Sequence, residues 1–123
     1  MKQDKILVLD LGSRENPRLI QEIQSLGVYC ELHPYDMTLE QVHALPDVKG
    51  IIVNGGPDRT AGGVEREVAK EIYNCELPVL VVDHMGEDGW PQDEADRVEA
   101  LANFIFGLCQ AEPGEEAETI DDL

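Results

Sequence analysis

Four short apolar runs recur along this chain, at residues 5–10, 28–33, 50–54 and 77–82, and segments of helical periodicity separate them. Uninterrupted apolar runs of this length read as parallel strands buried on both faces. After the first run, Asn16 suits a helix N-cap and Pro17 a first turn. Leu19, Ile20, Ile23 and Leu26 then fall on one face, and Gly27 is a stop. After the second run, Thr38 and Gln41 have the spacing of a capping box, which predicts a short helix to about Leu45. After the third, Val64, Val68 and Ile72 at steps of four predict a helix over 63–74. The last predicted helix covers 93–107, with Val98, Leu101, Ala102 and Ile105 inward and Gly107 as its stop. Strands alternating with helices imply an α/β fold: a three-layer α/β/α doubly wound parallel sheet of about four strands.

The 123 residues suit one domain, placed at 1–110. Residues 111–123 are expected to form a disordered acidic tail, since Glu112, Glu115, Glu116, Glu118, Asp121 and Asp122 stand there without a base. The whole chain carries a net charge of −17, from 26 acids against 9 bases. Phosphate backbones repel such a surface, so nucleic acid is a poor partner. No apolar run is long enough to span a bilayer, and residues 1–5 lead into a strand and not a secretory signal, so a cytoplasmic location is expected. Cys30, Cys75 and Cys109 are odd in number and lack zinc spacing, so free buried thiols are expected, with no metal and no cofactor.

Chemistry is looked for where strands end, because open α/β sheets bind ligands outside the carboxyl ends of their strands. The fourth run leads into Asp83 and His84. Neighbours on a strand point to opposite faces, so these two cooperate only if the turn bends them together. With Asp10 at the tip of the first run they offer the catalytic alternative, a metal or acid–base cluster. A phosphoryl-accepting receiver domain is disfavoured, for it needs an acidic pair and a late lysine that are not evident here. Asn54, Gly55, Gly56 and Pro57 form a glycine turn whose N–H groups suit a carboxylate or other small anion. Trp90, the single tryptophan, either plugs the core or anchors a partner. Cys30 and His33 are read as packing residues.

The segments ILVLDLGS (6–13), GVYCELHPYD (27–36), VKGIIVNGGP (48–57) and LPVL (77–80) occur in this order at natural spacings. Together they resemble the class I glutamine amidotransferase family, most nearly the glutaminase domain of GMP synthetases. ANFIFGLC (102–109) is similar to that domain's last helix. The likeness covers residues 5 to about 82 and about 94 to 109, and it implies a flavodoxin-like fold. In the family, a cysteine on a tight turn after the fourth strand attacks the glutamine amide, activated by a downstream His–Glu pair. Backbone N–H groups, partly from the glycine loop, hold the oxyanion. Here Asp83 stands at the nucleophile position, no histidine follows His84, and few residues separate Met85 from Asp93. A carboxylate cannot form the thioester that this chemistry uses.

The reading that results is a catalytically inactive, GMP synthetase glutaminase-like protein acting as a binding or regulatory module. The resemblance implies a synthetase-type protein as partner, and an open sheet edge implies a homodimer. The alternatives are a diverged small-molecule enzyme using Asp83, His84 and the Gly55–Gly56 loop, or a residual glutaminase-type subunit.

Overall fold

The computed structural model describes residues 4–12, 16–55, 60–61, 64–65, 67–83, 91 and 93–111. Its frame is a parallel sheet of four strands: β1 (Lys5–Leu11), β2 (Tyr29–Pro34), β3 (Val48–Gly55) and β6 (Val79–Asp83), in the spatial order β2-β1-β3-β6. These are the four strands expected from the apolar runs. β1 and β3 lie in the middle, and their apolar residues are buried on both faces. β2 lies at an edge and alternates buried Cys30 with exposed Tyr29 and Leu32.

Two apolar layers sandwich the sheet. Ile6, Val8, Ile52 and Val82 point into one, against Leu19 and Ile23 of α1 (Asn16–Ser25) and Leu101 of α4 (Glu94–Ala102). Leu7, Leu9, Ile51 and Val53 point into the other, against Val42 of α2 (Leu39–His43) and Ile72 of α3 (Lys70–Tyr73). This is the expected α/β/α arrangement, and the alternation along β1 and β3 produces it directly.

Local signals explain where α1 ends and where α2 begins; Asn16, expected as the N-cap of α1, is instead its first helical residue. Gly27 takes φ 79° and closes α1, its N–H bonding to the carbonyl of Gln24 at 2.9 Å. The capping box at Thr38 forms in full. The Gln41 N–H donates to Thr38 Oγ1 at 3.1 Å, and the Thr38 N–H donates to Gln41 Oε1 at 2.9 Å. α2 then runs only to His43, with Ala44 as C-cap, short of the expected Leu45.

The expected helix over 63–74 is corrected. Thr60–Ala61 (β4) and Val64–Glu65 (β5) pair antiparallel, with Ala61 opposite Val64, and α3 is a single turn at Lys70–Tyr73. Two glycines separate the paired strands in the sequence, a composition that favours a tight hairpin over a helix. Ala69 also offers no side chain to cap α3. Val68 and Ile72 are buried as expected.

The last helix is corrected at both its face and its end. Asp93 caps α4, accepting from the Asp96 N–H at 3.3 Å. From Asn103 the chain widens into a π-helical segment to Leu108, and the Cys109 N–H bonds to the Phe104 carbonyl at 2.9 Å. The buried face is therefore Arg97, Leu101, Phe104 and Ile105, while Val98 and Ala102 are only half-buried. Gly107 is no stop; the left-handed residue is Gln110, at φ 54°. Ala111 is buried against the core, its N–H bonded to the Ile105 carbonyl at 3.0 Å, and the acidic residues after it lie outside the described residues.

Arg97 ties α4 to α1. Its Nε and a terminal NH2 grip the Glu22 carboxylate at 2.9–3.2 Å, and both side chains are almost wholly buried. Arg97→Met leaves the buried Glu22 carboxylate only the longer contact with half-exposed Arg18, at 3.8 Å, so it is expected to cost about 3 kcal/mol. Adding Glu22→Leu should recover much of that in denaturant melts; a double variant no better than the single one contradicts this account. Gly50 carries a second constraint. A Cβ there would fall on the Cys109 sulfur, with Phe104 also in contact. Gly50→Ala should cost about 1–3 kcal/mol by overpacking, and Cys109→Ala should relieve it in a double-mutant cycle. Simple additivity of the two changes would rule the contact out.

Candidate functional site

In this strand order the chain turns outward in opposite directions from β1 and β3. The crevice outside their carboxyl ends is the switch point where open α/β sheets place ligands. Asp10 is paired in register with Asn54, Leu11 with Gly55, and Gly55 with Asp83 on β6. One strand step thus brings Asn54, Gly55 and Asp83 to the same edge. Gly56, Pro57, His84 and Trp90 lie outside the described residues, and Asp83 is placed by its backbone alone.

The rim of the crevice is built from short polar contacts. Gly12 takes φ 83° and bridges to Gly55, and its N–H donates to Asp10 Oδ1 at 3.0 Å. This turns the chain off the sheet toward α1, a conformation that favours glycine. Asn54 is fully buried, and its Nδ2 donates to Asn16 Oδ1 at 2.7 Å. That bond straps the end of β3 to the start of α1. It was missed in the sequence, although an amide closing an otherwise apolar run is a signal for a buried polar contact.

None of the three cysteines stands at this edge. Cys30 faces the α1 layer from β2, Cys109 lies under Gly50, and Cys75 sits between α3 and β6. Burial, with a smaller push from the Glu31 charge, raises the Cys30 thiol to about 11. Burial raises Cys109 to about 12. Cys30 and His33 lie three apart on a strand, so they face opposite sides and form no dyad. His33 instead meets Glu31, Nε2 to Oε1 at 3.0 Å. Glu31 also accepts from Lys5 Nζ at 2.7 Å, and that bond does most to hold its carboxyl below the usual range. Among the described residues, no three His, Cys, Asp or Glu side chains come together as metal ligands. No helix among them is long and apolar enough to cross a membrane.

The family model for glutamine amidotransferase class-I matches residues 7–82, the span from β1 to the last residue before Asp83. The chain belongs to the class-I glutamine amidotransferase family. It is 42% identical over 118 residues to the "Putative GMP synthase 2" (glutamine-hydrolyzing) of Bacteroides thetaiotaomicron, covering 91% of this chain and 27% of that protein. It is 32% identical over 119 residues to the glutamine-hydrolyzing GMP synthase of Proteus mirabilis, covering 97% of this chain and 22% of that protein. With that of Staphylococcus carnosus it shares 39% over 79 residues, covering 64% of this chain and 15% of that protein. The amidotransferase chain thus spans about a quarter or less of these relatives. A match to 97% of it takes in Asp83 and the last helix, so the likeness continues past the end of the family model.

The buried thiols have a checkable consequence for this family member. At about pH 8, a thiol titrating at about 11 is ionised in roughly one molecule per thousand. Folded protein should give one fast equivalent with Ellman's reagent, from half-buried Cys75, and all three only in denaturant. Fast labelling of Cys30 or Cys109 in the folded state contradicts this placement.

Proposed function

We propose that this chain is a glutaminase-type module that keeps the amidotransferase frame without the glutaminase reaction, and that it works by binding. The observation that carries the reading is the residue after the matched span. β6 ends at Asp83, in register with Gly55, where the resemblance puts the nucleophilic cysteine. A thiolate attacks an amide and leaves a thioester that water can open. A carboxylate offers no such route, and the three thiols of this chain lie elsewhere. No histidine stands between His84 and Leu123, so residues 85–123 hold no His–Glu pair to activate a nucleophile. The strapped crevice at Asn54 and Gly55 supports retention of a small-anion pocket beside the Gly56–Pro57 turn. The relatives are named as GMP synthases, which supports a synthetase-type protein as the partner.

Release of glutamate and ammonia from glutamine is the direct test, with the full chain alone and with a synthetase that accepts a glutaminase. No turnover above buffer is expected in either case. Asp83→Cys is expected to stay inactive as well, because a cysteine alone lacks its base. Turnover by the unmodified chain that disappears in Asp83→Ala would reverse the proposal and establish a carboxylate-dependent enzyme.

A further inference from the structure

The acids of this chain are unevenly spread. There are 26 of them, yet residues 16–34, which form α1 and the edge strand β2, hold only Glu22 and Glu31. Both are paired within the chain. Glu22 is buried against Arg97, and Glu31 meets Lys5 at 2.7 Å and His33 at 3.0 Å. α1 packs on β2, its Leu19 and Ile23 sharing a layer with Cys30, and it leaves Pro17, Arg18, Gln21, Gln24 and Ser25 exposed. Among the described residues, this side of the sheet therefore shows no acid outside an ion pair, in a chain of net charge −17. It also leaves apolar surface open. Tyr29 and Leu32 of β2 are each 45% exposed, and β2 pairs on one side only, with β1. Loss of free charge around uncovered aromatic and aliphatic side chains marks the centre of an interface, and an edge strand supplies it with backbone donors and acceptors.

The sequence of the strand selects the occupant. Opposite residues of an antiparallel pair point to the same face. Two copies of β2 related by a two-fold axis at Leu32 set Leu32 against Leu32, and Glu31 of each copy against His33 of the other. An axis at Glu31 would set two glutamates together, and an axis at His33 two histidines. Only the Leu32 register pairs opposite charges, and it closes on itself as a two-fold interface must. Pro34, which has no N–H to give, ends the ladder opposite Cys30. We propose that β2 is the self-association edge of this chain. Two copies pair antiparallel about Leu32 into one continuous sheet, the leucines meeting on one face and the two Glu31–His33 pairs joining on the other. This goes beyond the binding-module reading and does not depend on it.

Sedimentation of the full chain should show a dimer that grows with concentration. Leu32→Lys sets like charges opposite each other and should weaken it more than about tenfold, with an unchanged circular dichroism spectrum. In a Cys75→Ser background, Leu32→Cys should oxidise to a covalent dimer, because the two new thiols meet at the axis. Tyr29→Cys, at an equally exposed position, should not, since its two copies would stand about 20 Å apart. A chain that stays monomeric at submillimolar concentration overturns the proposal. So does a dimer that Leu32→Lys leaves intact, or equal cross-linking at positions 29 and 32. Protection of the β2 amides from hydrogen exchange only when a synthetase is added overturns it as well.

Discussion

β1 and β3 hydrogen-bond to each other along their whole length, and both are apolar on both faces. A pair of strands like this is stable in water only when both faces are covered. The chain therefore has to carry helices to opposite sides of the sheet, α1 and α4 to one and α2 and α3 to the other. The same pairing fixes where a site can be. It sets Asp10 against Asn54 and Leu11 against Gly55, and β6 adds Asp83 beside Gly55. The gathering of Asn54, Gly55 and Asp83 at one edge is thus a consequence of the central register.

Two buried polar contacts adapt this frame. The Asn16–Asn54 bond closes the crevice between β1 and β3, and the Glu22–Arg97 pair fixes α4 upon α1. Neither adds much net stability against an apolar alternative of the same shape, yet removing one partner is costly. Their effect is specificity of placement. The pair joins α4 to α1 on the side of the sheet where Leu101 enters the core. The relation to glutamine amidotransferases is therefore visible in how the four parallel strands are held.

Much of this was legible in the sequence because the signals were local or strongly periodic. Three of the four strands follow from short apolar runs and the second from a run broken by Glu31 and stopped at Pro34, and Thr38 with Gln41 announces the start of α2 by a contact made within one turn. The helix expected over 63–74 failed because a spacing of four is a multiple of the strand period as well as close to a helical turn. Val64, Val68 and Ile72 could not choose between the two, and the glycine pair beside Val64 decided for a hairpin. Arg97 was overlooked because a charged residue was assigned to the solvent face by default; its partner, Glu22, sits 75 residues away. The π-helical widening after Asn103 depends on how Cys109 must seat under Gly50, a packing fact with no local signature. For the site, the strand tips could be read, while the Asn16–Asn54 strap depends on two elements meeting in space.

The seating of the last helical segment bears on how the protein is made. Phe104, Ile105, Cys109 and Ala111 fill the layer that also holds Ile6, Val8 and Ile52. The first strand is thus covered in part by residues about a hundred positions further along the chain. During synthesis, that face of the sheet stays uncovered until this segment leaves the ribosome, so the sheet cannot settle strand by strand as it emerges. An emerging chain holds Ile6, Val8 and Ile52 open to chaperones, or to mispairing, until residues 104–111 have followed them.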